Sequence, residues 1–127
     1  MRMTQAAALV AGVVLSAGLA AGTAKADTVG PYSYVQLSGC TIGSTHAVLW
    51  YNNANGQWHG QITGGHYNDI IYLDYSDSPQ LGYNTDVSSV GPGQTSVNTP
   101  DEVAGWGRVE LFPASGGHCV GVWHVAP

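Results

Sequence analysis

The chain has 127 residues, with eight Asp and Glu against three Lys and Arg, and a formal net charge of −5 with histidine neutral. Two of the three cations, Arg2 and Lys25, fall in the first 26 residues, so residues 27–127 hold Arg108 alone against all eight acids, a net charge of −7. Such a chain repels phosphate backbones and anionic lipid surfaces, which excludes nucleic acid and the membrane surface as partners of residues 27–127.

Residues 1–26 read as a cleavable secretory signal peptide. Arg2 precedes a run from Ala6 to Gly22 in which Ser16 is the one polar side chain. Ala24 and Ala26 then supply the small residues that signal peptidase requires ahead of Asp27. The run is short and rich in Ala and Gly, which is weak for a membrane span. The expected product is a single secreted, extracellular β-domain over residues 27–127, with 27–31 as a loose lead-in.

Cys40 and Cys119 both lie in that domain. Two cysteines in an oxidising compartment predict one disulfide bond. Neither has a second Cys at C-x-x-C spacing, so a cysteine metal site is not indicated.

No stretch after residue 26 repeats apolar residues at helical spacing. Short Tyr-, Trp-, Val- and Ile-rich runs alternate with turn residues, which predicts an all-β fold: a single-domain antiparallel β-sandwich or barrel of about six or seven strands. The strands expected in chain order are Tyr32–Leu37, Thr45–Asn52, Gln57–Thr63 and Asp69–Tyr75. A short strand near Thr95–Asn98, then Trp106–Phe112 and His118–Val125, complete the set. Residues 79–104 read as a long connection. Val120 and Val122 on one side and Trp123 and Val125 on the other suggest that the last strand is central.

Thr45–Asn52 and Gln57–Thr63 form a hairpin around Asn53-Ala54-Asn55-Gly56. A type I turn with a glycine bulge would pair Asn53 with Gln57. Val48, Trp50, Trp58 and Ile62 would then face the core, with Trp50 opposite Gly60. Ala47, Leu49 and Tyr51 would share the wetter face with His59, Gln61 and Thr63. A two-residue Asn55-Gly56 turn slips the partners by one and moves His59 to the face of Trp50. The bulged turn is preferred because it separates apolar from polar side chains more cleanly on the third strand.

Five histidines, His46, His59, His66, His118 and His124, invite a metal, but none shows metal-ligand spacing, although His46 and His66 flank the two ends of the hairpin. Asp74-Tyr75-Ser76-Asp77-Ser78 resembles half a calcium loop without its glycine and terminal Glu, and a capped turn explains the same residues. Asp101 and Glu102, neighbours in a Pro-led loop, are expected to face water. No nucleophile elbow and no cofactor motif is present, and no cofactor is expected. The four Trp and seven Tyr against one Phe remain. Such rings stack on sugars while offering a polar tip. The candidate ligand-binding residues are therefore Tyr51, His59 and Gln61 on one strand face, with Tyr72 nearby.

Three segments, Ile71-Tyr72-Leu73-Asp74-Tyr75-Ser76, Val97-Asn98-Thr99-Pro100 and Cys119-Val120-Gly121-Val122-Trp123-His124, follow the Ala-rich leader in a chain whose one Lys is Lys25. In these the chain resembles small secreted β-domain proteins of actinomycetes, Streptomyces in particular. The resemblance implies secretion and a β fold and carries over no catalytic residue.

The expected function is non-catalytic binding of a glycan or an extracellular protein through an aromatic face. A secreted inhibitor or toxin-like partner would need a rigid protruding loop, for which 86–105 is the candidate. A small hydrolase would need Ser, His and acid side chains, or a carboxylate pair such as Asp74 and Asp77, converging in a cleft.

Overall fold

The computed structural model describes residues 33–127, so the expected signal peptide and the lead-in lie outside the described residues. Ten strands and no helix are found among the described residues: β1 (Tyr34–Ile42), β2 (Thr45–Asn52), β3 (Gln57–Thr63), β4 (Ile70–Ser76), β5 (Asn84–Ser89), β6 (Val97–Asn98), β7 (Glu102–Val103), β8 (Trp106–Phe112), β9 (Cys119–Val120) and β10 (His124–Val125). They form two five-stranded antiparallel sheets. One runs β1-β2-β3, with β6 and β7 both pairing β3. The other runs β9-β8-β4-β5, with β10 also on β8. β1 lies over β8 and β9, β3 over β4, and β5 beside β6, so the sheets face each other as a sandwich.

The core is a single cluster contributed by both inner faces. Leu49, Trp58, Ile62, Ile71, Leu73, Val109 and Leu111 have no exposed surface, and Ala47, Tyr51 and Val90 join them. Full burial of each Leu, Ile or Val is worth about 1.5–3 kcal/mol. The sheets approach too closely at two points for any side chain. A Cβ on Gly60 would come within 2.9 Å of Val109, and one on Gly107 within 2.7 Å of the Trp58 ring. Trp58 is oriented there by its indole N–H, which donates to the Ala104 carbonyl at 2.9 Å.

The hairpin departs from its preferred register. Asn52, not Asn53, pairs with Gln57, which sets Trp50 opposite His59 and Leu49 opposite Gly60. The connection is a four-residue loop. The Gly56 N–H donates to the Asn52 carbonyl at 2.8 Å with Gly56 at φ 74°, and the Asn52 side chain accepts from the Ala54 N–H at 2.9 Å. A one-residue shift exchanges the faces of β2. Ala47, Leu49 and Tyr51 therefore point into the core beside Trp58 and Ile62, and Val48 and Trp50 point out. Gly60 makes room for the opposite sheet rather than for Trp50.

Three further expectations change. The 79–104 connection contains β5, β6 and β7, so part of the candidate loop 86–105 is paired into the sheets. The last strand is broken at Gly121, whose N–H donates to the Val109 carbonyl at 2.8 Å. Its two remnants are outermost in their sheet, and Val120, Val122 and Val125 are exposed rather than central. The Cys40–Cys119 disulfide is present, with its Cα atoms 6.1 Å apart, and Cys40 lies within β1 rather than after it.

Candidate functional site

The outer face of β1-β2-β3 carries the most ligand-like surface of the described residues. Gln36, Trp50 and His59 sit side by side across the three strands, and Tyr34 lies two residues before Gln36 on the same face. The Trp50 and His59 rings are 22° from parallel with centroids 6.4 Å apart. Tyr34 stands edge-on to both, 6.3 Å from Trp50 and 5.6 Å from His59. Gln61 accepts the Trp50 indole N–H at 2.9 Å and fixes the ring. Asp101, just ahead of β7, brings Oδ1 to 3.3 Å from His59 Nδ1. The result is a held platform in which Tyr34 and Trp50 are partly exposed, His59 and Gln61 are buried beside them, and the exposed Asp101 carboxylate lies at the rim.

A shallow groove of about 330 Å³ continues this face, lined by Gln36, Ser38, Thr41, His46, Val48 and Thr63 among others. A β-bulge between Leu37 and Cys40 indents the sheet there, with Ser38 and Gly39 together opposite Val48. Two hydroxyl–imidazole contacts border it: Thr41 Oγ1 with His46 Nδ1 at 2.9 Å, and Ser38 Oγ with His124 Nε2 at 2.9 Å. The described histidines that face carboxylates are His59, His66 and His118, on Asp101, Asp69 and Glu110.

The structure brings together two of the four residues expected at the site. His59 and Gln61 share the outer face with Trp50. Tyr51 does not, because the register turns it inward onto Trp58 at a centroid distance of 4.7 Å. Tyr72 belongs to the outer face of the other sheet, where it packs on Phe112 at 4.7 Å. Trp50, Tyr34 and Asp101 are not among the ligand-binding residues that the sequence pattern points to. The alternate hairpin register would have found Trp50; Tyr34 and Asp101 carry no local signal.

Three of the seven described acids, Asp69, Asp74 and Glu110, are buried. Asp74 and Arg108 face each other across β4 and β8, with Arg108 Nε donating to Asp74 Oδ2 at 2.7 Å and Thr85 donating to Oδ1 at 2.7 Å. Arg108 lies over the rings of Tyr83 and Trp123, at 5.0 and 4.5 Å, which meet each other edge-on, and Nη2 is 3.7 Å from Glu110. Burial works against the guanidinium charge, but the Asp74 hydrogen bond and charge outweigh it and raise its pKa. Burial, then Asp74, pushes Glu110 up. The calcium-like segment is divided: Asp74 serves Arg108, while Asp77 accepts the Gly105 N–H at 2.9 Å and Ser76 Oγ accepts the Ser78 N–H at 2.9 Å, as a capped turn does. His46 bonds Thr41, and His66 faces Asp69 at 3.5 Å. No group of three or more His, Cys, Asp or Glu suited to a metal ion occurs among the described residues. Nor does a described helix long and apolar enough to cross a membrane.

Comparison with protein-family models, with curated proteins and with solved structures finds no match to this chain.

Proposed function

We propose that this chain is a secreted, non-catalytic carbohydrate-binding domain that takes an extended glycan across the outer face of β1-β2-β3. The observation that carries the reading is the Tyr34–Trp50–His59 ring cluster, held in place by Gln61 and Asp101. Sugar rings present C–H faces that stack on aromatics and hydroxyls that bond to amide and carboxylate rims. The adjoining groove is open and lined by small polar groups, which suits a chain lying along the surface better than an enclosed small molecule. The disulfide is compatible with an extracellular destination.

The test is affinity electrophoresis and pull-down of the protein against cellulose, chitin, xylan, mannan and mixed-linkage β-glucan. Retention by at least one polymer is expected, with loss in Trp50→Ala and Tyr34→Ala. Failure of all five to retain the wild type, or equal retention of both variants, would overturn the reading.

A further inference from the structure

The two long edges of the sandwich are closed by different chemistry. On one, β1 lies against β9 and β10, joined by the Cys40–Cys119 disulfide and the Ser38–His124 hydrogen bond. On the other, the closing groups ionise. Asp86, opposite Leu73, points inward from β5; Tyr75 points inward from β4; and Glu102, opposite Trp58, points inward from β7.

Asp86 Oδ2 is shut off from solvent, and no N–H or hydroxyl group of the described residues reaches it. The group beside it is the Glu102 carboxyl, which also meets the Tyr75 hydroxyl. A protonated Glu102 has a hydrogen to donate to the Asp86 carboxylate. Two ionised carboxylates in the same place repel each other.

Neighbouring residues on an extended segment point to opposite sides. Glu102 reaches inward to Asp86, while Asp101 reaches outward to His59 on the ring platform. β7 is paired to β3 at two positions, Gln57 with Val103 and Trp58 with Glu102, and the chain is tied again at Ala104, whose carbonyl accepts the Trp58 indole N–H. With so short a ladder, the side chains of Asp101 and Glu102 contribute to how residues 101–103 lie on β3.

We propose that the Glu102–Asp86 pair is a proton-operated latch on the binding platform: the shared proton keeps residues 101–103 against β3 and Asp101 on His59, and its loss releases both. This inference rests on the glycan reading of the platform. The hydrogen bond to Asp86, followed by burial and the charges of Asp86 and Asp101, pushes Glu102 up to about 7. The groups facing it are Asp86 from β5, Tyr75 from β4 and Asp101 from its own segment, and its neighbours on β3, Gln57 and Trp58, are neutral. Burial and the charges of Asp86 and Glu102 raise the Tyr75 pKa, which keeps its hydroxyl protonated throughout. Because the folded value lies above the ordinary 4.5, the latch is closed at acid pH and opens as pH rises through about 7.

Two measurements on the full chain test this. The first needs no ligand: NMR titration of the Glu102 carboxyl, the His59 ring and the Trp50 indole. A shared midpoint near that of Glu102 is expected in the wild type. It should disappear from Trp50 and His59 in Glu102→Gln, whose amide still donates to Asp86. Any pH response of these signals that persists in the variant is thereby separated from the latch. The second is binding of whichever of the five polysaccharides the wild type retains, compared at acid and alkaline pH. A loss of about fivefold or more is expected in the wild type and a flat profile in Glu102→Gln. Identical pH profiles in both proteins, or a Glu102 titration that leaves the His59 and Trp50 signals unmoved, would overturn the latch. Absence of binding at every pH would instead overturn the glycan reading, with the NMR titration still deciding the latch.

Discussion

Trp50 and His59 are direct partners across the β2–β3 hairpin, with rings 22° from parallel, Trp50 partly exposed and His59 buried. Trp50 is thus free to serve a ligand at little structural cost. Trp50→Ala is expected to weaken polysaccharide binding at least about tenfold, or ~1.4 kcal/mol, with little change in melting temperature. Tyr51→Ala, one residue along, empties a buried site and is expected to cost about 3–5 kcal/mol. Thermal unfolding and affinity electrophoresis of the two variants, side by side, check this division of labour.

Reduction of Cys40–Cys119 frees a loop with a sequence separation of 79. The chain-entropy model puts the loss at about 4–5 kcal/mol. At about 4–8 °C per kcal/mol for a domain of this size, the paired Cys40→Ser, Cys119→Ser variant is expected to melt some tens of degrees lower. Differential scanning calorimetry of both proteins reads the difference.

Asp69 is a buried anchor for two loops. It accepts the His66 N–H at 2.7 Å, the Ala114 N–H at 2.8 Å and the Thr45 hydroxyl at 3.1 Å. Burial raises its pKa, but these hydrogen bonds outweigh burial and bring it below the ordinary 3.8. The stability it supplies is therefore present above 3.8 and lost as pH falls through its folded value. Asp69→Ala strands three donors and is expected to cost about 2–4 kcal/mol at neutral pH. Denaturant titrations should show the gap between wild type and variant narrowing in acid.

Arg108 is the one Arg or Lys among the described residues, and it is committed to Asp74 and Glu110. Arg108→Met leaves Asp74, which has no exposed surface, as a buried charge without its partner. A loss of about 3–5 kcal/mol is expected. Pairing it with Asp74→Leu should restore most of that loss, and a double-mutant cycle measured by urea unfolding checks it.

The strands that punctuation marks clearly are where the sequence places them: Thr45–Asn52, Gln57–Thr63 and Trp106–Phe112 match residue for residue. The disulfide follows from there being two cysteines. The register was not legible because both faces of β2 are apolar, Ala47, Leu49 and Tyr51 on one and Val48 and Trp50 on the other. One loop hydrogen bond from Gly56 to Asn52 decides between them. β5 escaped notice because Asn84–Ser89 has no apolar run, and its pairing with β4 is a property of the backbone ladder. The acids are hard to place for a related reason: charge reads as surface in a sequence, yet Asp69, Asp74 and Glu110 are buried, the first two on partners remote along the chain, Thr45 and Ala114 for Asp69 and Arg108 for Asp74. Glu102 likewise turns inward rather than to water. Of the site, His59 and Gln61 were visible as polar residues in a strand, whereas Tyr34 and Asp101 join them only through pairing across three strands.

The covalent bridge between β1 and β9 also decides how the domain carries force. Tension applied between Ser33 and Pro127 runs along residues 33–40, crosses the sulfur atoms and leaves along residues 119–127. Residues 41–118, including both strands of the hairpin, are bypassed. Under load Trp50 and His59 keep their spacing, while Tyr34, on the tensioned stretch, is the ring that peels away first.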